Sequence, residues 1–500
     1  VQLREGIPAT WKGSLMRFPF DLPSDDSSLA QVAMLLDGTW RAGEGSPQPI
    51  FDKYSLQAFA NLPASSGTQI KQMVDVAQAA FEADTLSPHK RGAILDRVGV
   101  LLHDKRAELL PVIQQETGFT TQDCNNEINR TIETLKLSAE EARRLSGEMV
   151  PVAGAAGQDN RLAFTLRVPL GVLLAVTPFN APLNTVTHKI APAIGSGNVV
   201  ILKPAGQTPR TACFLATLFE EAGLPKNYLQ VFHGGGEAVR LAMADERVRY
   251  IAFTGSTEVG KLIQAQAGLR RTQMELGSIA FTLLHSDANL DDALPKIVGA
   301  GYRKAGQVCT SVQILLVHET IAEHVESKMR SLVDALVYGD PQAENCSTGP
   351  LISLKDAERV ESWINEAIAK GGKLLAGGTR EGAVVAPTLL SNVSPDMQVG
   401  CKEVFGPVVC IERYRTFDEA IARVNSTPFG LATGIFTNDL GQAFKACKEL
   451  RVGGVHINQT SSSRVDMMPY GGSKDSGFGR EGPRYAMHEM TEERVISITL

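Results

Sequence analysis

The sequence predicts an α/β protein built around a doubly wound, largely parallel sheet. Two observations carry this. Short apolar runs rich in β-branched residues, each ending in turn residues, recur through the middle of the chain. Helical segments alternate with them at a spacing of about 25 residues, the signature of consecutive strand–helix–strand units. The runs are LGVLLAVTP (Leu170 to Pro178), NVVILKP (Asn198 to Pro204), YLQVFHG (Tyr228 to Gly234) and VRYIAFTG (Val248 to Gly255). A sheet of this kind receives its ligands at the carboxyl ends of its strands.

Over about the first 35 residues, Pro8, Pro19, Pro23 and the polar Ser24 to Ser28 break any long period, so loose structure is expected. From Ile70 to about Glu148 the pattern is helical; EINRTIETLKLSAEEARRLSGE has apolar residues at helical spacing. Among the strand signals, one helix is framed by Thr208 as N-cap, Pro209 in its first turn, Gly223 at its end and Pro225 beyond. A second α/β region runs from about Leu276 to Gly472, with Cys309 early and a glycine-rich stretch late. The closing MTEERVISITL is strand-like, and a terminal strand needs an edge to pair with. Another subunit is the expected source of that edge.

At 500 residues, two or three domains are expected. The formal net charge of −6 and the lack of a Lys/Arg run argue against a nucleic-acid partner. No run of about 18 apolar residues exists, so no membrane span is expected. The first residues lack the basic start and apolar run of a signal peptide, and Val1 implies an initiator Met outside the sequence. Seven scattered cysteines with no C-x-x-C pair suggest neither zinc nor a dithiol, and no metal site is expected. Free thiols suit a reducing cytoplasm.

No G-x-G-x-x-G fingerprint is present. GSTEVGKL (Gly255 to Leu262) comes near a phosphate-loop NTPase motif, but Leu262 stands where a hydroxyl is needed for Mg²⁺. The simpler reading is a strand ending at Gly255 and a helix beginning near Ser256, whose free N–H groups can face a phosphate. Cys309 lies in KAGQVCTSVQ. A lone cysteine is usually a buried filler. Its small and polar neighbours are atypical of that and let the backbone approach a ligand. Glu275 in QMELGS and Asn180 in VTPFNAPLN are weak signals alone, a solvated carboxylate and a turn residue being the plain alternatives.

Together these segments resemble the aldehyde dehydrogenase superfamily from about Leu36 to the C-terminus. VTPFN, LKPAGQTP, FTGSTEVG, MELGS, GQVC, EVFGPV, PFGLATGIFTND and MPYGGSKDSGFGREG occur in family order. The resemblance implies a Rossmann-type NAD(P)-binding domain (1–146 and 168–277), an α/β catalytic domain (278–477) and a small β oligomerisation arm (147–167 and 478–500). It also implies homodimers or homotetramers whose arms pair across subunits. Cys309 matches the nucleophile. Its thiolate adds to the aldehyde carbon, and the resulting tetrahedral alkoxide can expel hydride. The side-chain amide of Asn180 and the backbone N–H of Cys309 match the donors for that alkoxide. Glu275 matches the general base for hydrolysing the thioester, which favours a hydrolytic enzyme over one passing the acyl group to coenzyme A. Cofactor contacts carried over are Thr177, Pro178, Phe179, Lys203, Ala205, Gly206, Gly236, Phe253, Gly255, Ser256, Leu276, Glu403 and Phe405. Among these, Lys203 resembles the ribose-hydroxyl ligand, Gly255 and Ser256 the pyrophosphate turn, and Glu403 with Phe405 the nicotinamide-ribose clamp and its packing partner.

The departures are informative. Gly206 stands where NAD-preferring members often have an acidic residue, so NADP should be tolerated. The usual ELGGK stretch reads ELGSIA, with Ser278 for the second glycine. ELGS, and the late segment NQTSSSRVDMMPYGG, resemble the branch acting on lactaldehyde, glyceraldehyde derivatives, phosphonoacetaldehyde and sulfolactaldehyde. Arg303 resembles the carboxylate-binding Arg of succinate-semialdehyde dehydrogenases, and Arg130 an anion-binding Arg of the phosphonoacetaldehyde type. His188 and Arg464 fall at further positions bordering the substrate. Their convergence would favour a small aldehyde with a carboxylate, sulfonate or phosphonate tail, since Arg binds such groups through two parallel hydrogen bonds. Two alternatives are the same chemistry on a neutral aldehyde such as lactaldehyde, and a binding protein with a vestigial cofactor site.

Overall fold

The computed structural model describes residues 18–23, 29–83 and 86–500. Residues of the expected loose N-terminal segment before 18 and at 24–28 lie outside these.

Two large sheets organise the chain. The first has eight strands, and its parallel part runs across the sheet as Arg271–Glu275, Val248–Thr254, Val172–Val176, Val199–Lys203 and Leu229–Val231. Val172–Val176 is buried throughout, as a strand covered on both faces must be. Antiparallel strands close both edges: Gly477–Phe478 on one side, Met34–Leu36 and Thr39–Arg41 on the other. The earliest parallel strand, Val172–Val176, sits in the middle. The chain first adds strands on one side of it, then returns to add Val248–Thr254 on the other. This reversal is a topological switch point, where the loops leaving adjacent strands diverge and open a crevice.

The second sheet has seven strands, in the order Lys373–Ala376, Thr388–Ser391, Val408–Tyr414, Val312–His318, Ala280–Leu284, Ala432–Phe436 and Gly454–Ile457. It is parallel except at the Lys373–Ala376 edge. Separate apolar cores cover its two faces, and a third surrounds the first sheet. The C-terminal helix Pro483–Glu489 returns to the first core through Ala486 and Met487.

Three expectations need correction. The segment before residue 35 is structured where it is described: Asp21–Leu22 pairs with Ala30–Val32, and Phe20 is fully buried against Phe18 and Trp40. Strands this short carry no readable period. Thr208 occupies the N-cap position of Pro209–Glu221 but its side chain caps nothing. The buried Glu116 carboxylate does so instead, accepting from the amides of Arg210 (2.7 Å) and Thr211 (2.8 Å). Finally, Thr491–Thr499 finds its edge within the chain, antiparallel to Arg161–Pro169. Met149–Val150 takes the far side of Arg161–Pro169, which leaves Thr491–Thr499 as an outer strand of this small sheet.

Candidate active site

One cavity of about 1290 Å³ opens at the switch point and extends to the second sheet. Its wall is made by the segments leaving the parallel strands: Thr177, Pro178, Phe179 and Asn180; Lys203, Ala205 and Gly206; Gly236; Phe253, Gly255 and Ser256; Glu275 and Leu276. The opposite side carries Arg303, Cys309, Glu403, Phe405, Arg464 and Tyr470. Cys309 comes from the amino end of Val312–His318, in the loop after the helix Leu290–Tyr302.

That loop is shaped by backbone geometry. Lys304 and Ala305 have φ of 51° and 53°, and Gly306 continues the left-handed turn at 69°. A Cβ on Gly306 would sit 2.0 Å from the carbonyl oxygen of Gly406, so only glycine lets the loop bearing Glu403 and Phe405 pack here. Lys304 locks the turn from below. Its Nζ donates to Glu127 Oε2 (2.7 Å) and to the Asn180 carbonyl (3.1 Å) and lies 4.4 Å from the centroid of the Phe119 ring. Glu127 Oε1 in turn accepts from the amide of Asn184 at 2.9 Å. A buried ion pair therefore ties the turn before Cys309 to the segment carrying Asn180.

The Asn180 carboxamide donates one Nδ2 hydrogen to the Gln307 carbonyl (2.8 Å), which leaves the other for a ligand. The backbone N–H of Cys309 has no acceptor among the described residues. Cys309 Sγ lies 2.8 Å from the Tyr470 hydroxyl. Burial pushes the thiol up to about 11; the Tyr470 hydrogen bond and the Arg464 charge act in the opposite direction, while Glu403 and Glu275 add to burial. Glu275 is 4% exposed, and neither carboxylate oxygen has a hydrogen-bond partner among the described residues. Burial, then the charge of Glu481, push its carboxyl well above the ordinary range. Glu481 is itself opposed by burial, yet Lys189 (2.9 Å) and Arg464 (2.8 Å) hold it ionised.

The strand-end wall has the polar groups a dinucleotide requires. Burial pushes the Lys203 ammonium down to about 8, and it meets no acceptor among the described residues. The buried hydroxyls of Thr177 and Thr254 are likewise unpartnered. Ser256 caps the helix Thr257–Ala267, whose positive end meets the cavity. Glu403 accepts from the Ser278 amide at 2.9 Å, and burial pushes its carboxyl up to about 7. A Cβ on Gly277 would lie 2.6 Å from Glu403 Oε2, so the glycine of ELGS keeps that carboxylate in place. Phe179 and Phe405 meet edge to face at 5.8 Å. These groups fit the hydroxyls, phosphates and flat ring of a nicotinamide dinucleotide.

Of the four basic residues, Arg130, Arg303 and Arg464 line the cavity, but in unequal states. Arg130 grips Asp466 with two hydrogen bonds (3.1 and 2.6 Å). Arg464 is paired with Glu481 and lies 3.8 Å over the Tyr470 ring. His188 is a correction: it is fully buried and does not line the cavity, its Nε2 lying 2.9 Å from Asp466 and 3.1 Å from Arg464. Arg303 alone of the four has no carboxylate within ion-pair distance among the described residues. It donates to the Ser462 hydroxyl at 2.6 Å.

A sequence profile of the aldehyde dehydrogenase family matches residues 40–496. The chain belongs to the aldehyde dehydrogenase family. A 3-sulfolactaldehyde dehydrogenase of Priestia aryabhattai is 44% identical over 475 residues, 95% of this chain and 99% of that relative. The crystal structure of aldehyde dehydrogenase 21 from Physcomitrella patens, in complex with the reaction product succinate, superposes with a TM-score of 0.91 at 35% identity, covering 95% and 99% of the two chains. A glyceraldehyde-3-phosphate dehydrogenase from Methanocaldococcus jannaschii, complexed with NADP, gives 0.87 at 37% identity, covering 91% and 99%.

For this aldehyde dehydrogenase, the sequence reading missed Asp466, Glu481, Lys189, Lys304 and Tyr470. Arg464, Asp466 and Tyr470 lie within one short stretch, and RVDMMPY offered the signal: a charged pair two residues apart, close to an aromatic, in a segment expected at the mouth.

Proposed function

We propose that this chain oxidises a small aldehyde with a carboxylate, sulfonate or phosphonate tail to the carboxylic acid, using NAD or NADP. The observation that carries the reading is one cavity lined by Cys309, by a Glu275 carboxylate without a hydrogen-bond partner and by an Arg303 guanidinium without a carboxylate at ion-pair distance, both among the described residues. The Cys309 thiolate adds to the carbonyl carbon. The free Asn180 hydrogen and the Cys309 amide receive the alkoxide, a donor pair of the kind whose members are each worth about 10²–10³ in rate. A nicotinamide held in the cavity would supply the two-electron acceptor for this oxidation, and Cys309 is left carrying the acyl group as a thioester. Glu275 then takes a proton from the water that attacks the thioester, and Cys309 departs as thiolate. Lys203 is suited to ribose hydroxyls, the Gly255–Ser256 turn to the pyrophosphate, and Glu403 to the nicotinamide ribose. Gly206 leaves room without charge, its Cβ position meeting only a Leu62 methyl at 3.7 Å, so a 2′-phosphate is not repelled.

Arg303 is suited to the tail through a forked, charge-assisted contact. The names of the relatives are in keeping with this: sulfolactaldehyde, succinate and glyceraldehyde 3-phosphate each carry an anionic group. A neutral aldehyde is the second reading, favoured by the balance of Arg130 and Arg464 against Asp466 and Glu481. The domain division stated above, pairing of the Thr491–Thr499 sheets between subunits of a dimer or tetramer, and a reducing cytoplasm suited to seven free thiols belong to the same proposal. The test is a panel of aldehydes with carboxylate, sulfonate, phosphonate or neutral tails, each run with NAD and with NADP and followed at 340 nm. Higher kcat/KM for the anionic members is expected. Equal rates would favour the neutral reading, and no turnover in a folded sample would overturn both.

A further inference from the structure

We infer that Tyr470 is a catalytic residue, its phenol donating a hydrogen bond to Cys309 that favours the thiolate, with Arg464 stacked on its ring to strengthen the donor. The inference rests on the reading of Cys309 as nucleophile and adds a group to it. The proposed roles give the hydroxyl of Tyr470 no work, although it is the polar atom hydrogen-bonded to the sulfur.

The geometry is specific. The phenol oxygen lies 2.8 Å from Sγ, and the Arg464 guanidinium lies 3.8 Å from the ring centroid, close enough for a cation–π contact. Arg464 is held there by Glu481 at 2.8 Å, a buried carboxylate that Lys189 also pairs at 2.9 Å. A cation on the ring face draws electron density from the phenol and makes its O–H a better donor. A hydrogen bond to an ionised acceptor is about twice as strong as a neutral one. The contact therefore favours thiolate over thiol. The groups that face the sulfur divide in sign: Glu403 and Glu275 oppose the thiolate, whereas Arg464 and Tyr470 support it. Arg303 also feels the sulfur's charge. Burial, and the nearby charges of Cys309 and Glu275, keep the phenol protonated and thus a donor. No proton is transferred to or from Tyr470. The thiol proton leaves to solvent, and the phenol shares its own.

The test is the rate at which iodoacetamide alkylates Cys309 in the intact protein between pH 6 and 9, read by peptide mass spectrometry so that Cys401 and the exposed Cys447 are scored separately. Tyr470→Phe should slow alkylation of Cys309 about tenfold at each pH, the effect of losing one charge-assisted hydrogen bond. It should lower kcat and leave KM for the aldehyde near its original value. Replacing Tyr470 with 3-fluorotyrosine, whose phenol is more acidic, should speed alkylation and keeps the test valid if the Phe variant does not fold. Unchanged alkylation in both variants, or a rise in KM alone, overturns the inference and moves the phenol's role to the substrate or to packing. Failure of the underlying reading looks different: fully alkylated wild-type enzyme would still turn over.

Discussion

Replacing Arg303 with Met isolates the proposed tail contact. The methionine keeps most of the side chain's apolar stem and removes only the charge and the donors. In the structure the guanidinium lines the cavity, is bonded to Ser462 at 2.6 Å and has no carboxylate within ion-pair distance among the described residues, so its charge is available to a ligand. Burial pushes the group down from its ordinary value and the nearby charge of Asp123 opposes this, and a guanidinium stays a cation at neutral pH. Hydrogen bonds to charged groups contribute about 1.5–3 kcal/mol. At about 1.4 kcal/mol per factor of ten, Arg303→Met should lower kcat/KM for an anionic aldehyde roughly 10- to 150-fold. A neutral aldehyde of equal length should change by less than about threefold, the residue of altered packing. The assay is initial-rate kinetics at 340 nm with succinate semialdehyde and butyraldehyde as the matched pair. Equal losses on both substrates would refute the reasoning, and so would an anionic substrate that is unaffected.

Further outcomes follow from other parts of the site. Glu275→Gln should slow steady-state turnover by about 10²–10⁴ while sparing a first burst of reduced cofactor. Because the Glu275 carboxyl is held well above its ordinary range and must be ionised to act as base, wild-type deacylation should accelerate as pH rises, and the variant should lose that rise; a variant that keeps it excludes Glu275 as base. Gly206→Glu should shift the NADP:NAD ratio of kcat/KM towards NAD by about tenfold or more, through repulsion of the 2′-phosphate, whereas an unchanged ratio means that the phosphate lies elsewhere. Lys304→Met strands Glu127 as an unpaired buried charge and should cost about 3–5 kcal/mol in urea denaturation. Adding Glu127→Gln should recover part of that loss, and no recovery would show that the pair is not coupled.

The fold was legible where the information is local. Buried parallel strands announce themselves as apolar runs, and all four named runs contain strands of the first sheet. The turn around Cys309 was legible through its small residues. What stayed hidden depends on partners distant in sequence. Arg130 and Asp466 are separated by 336 positions, and Cys309 and Tyr470 by 161. No local pattern says that Asp466 will claim Arg130 and His188 together, so four basic residues read as four ligands for one anion. The Thr208 cap failed for the same reason: a buried carboxylate from another helix outcompeted the adjacent hydroxyl.

The most direct measurement is the intact and peptide mass of the Glu275→Gln enzyme after brief mixing with cofactor and aldehyde. An acyl adduct confined to Cys309, one equivalent per chain and formed together with one equivalent of reduced cofactor, is the predicted result. An adduct elsewhere, or undiminished turnover by a Cys309→Ala enzyme, would contradict it.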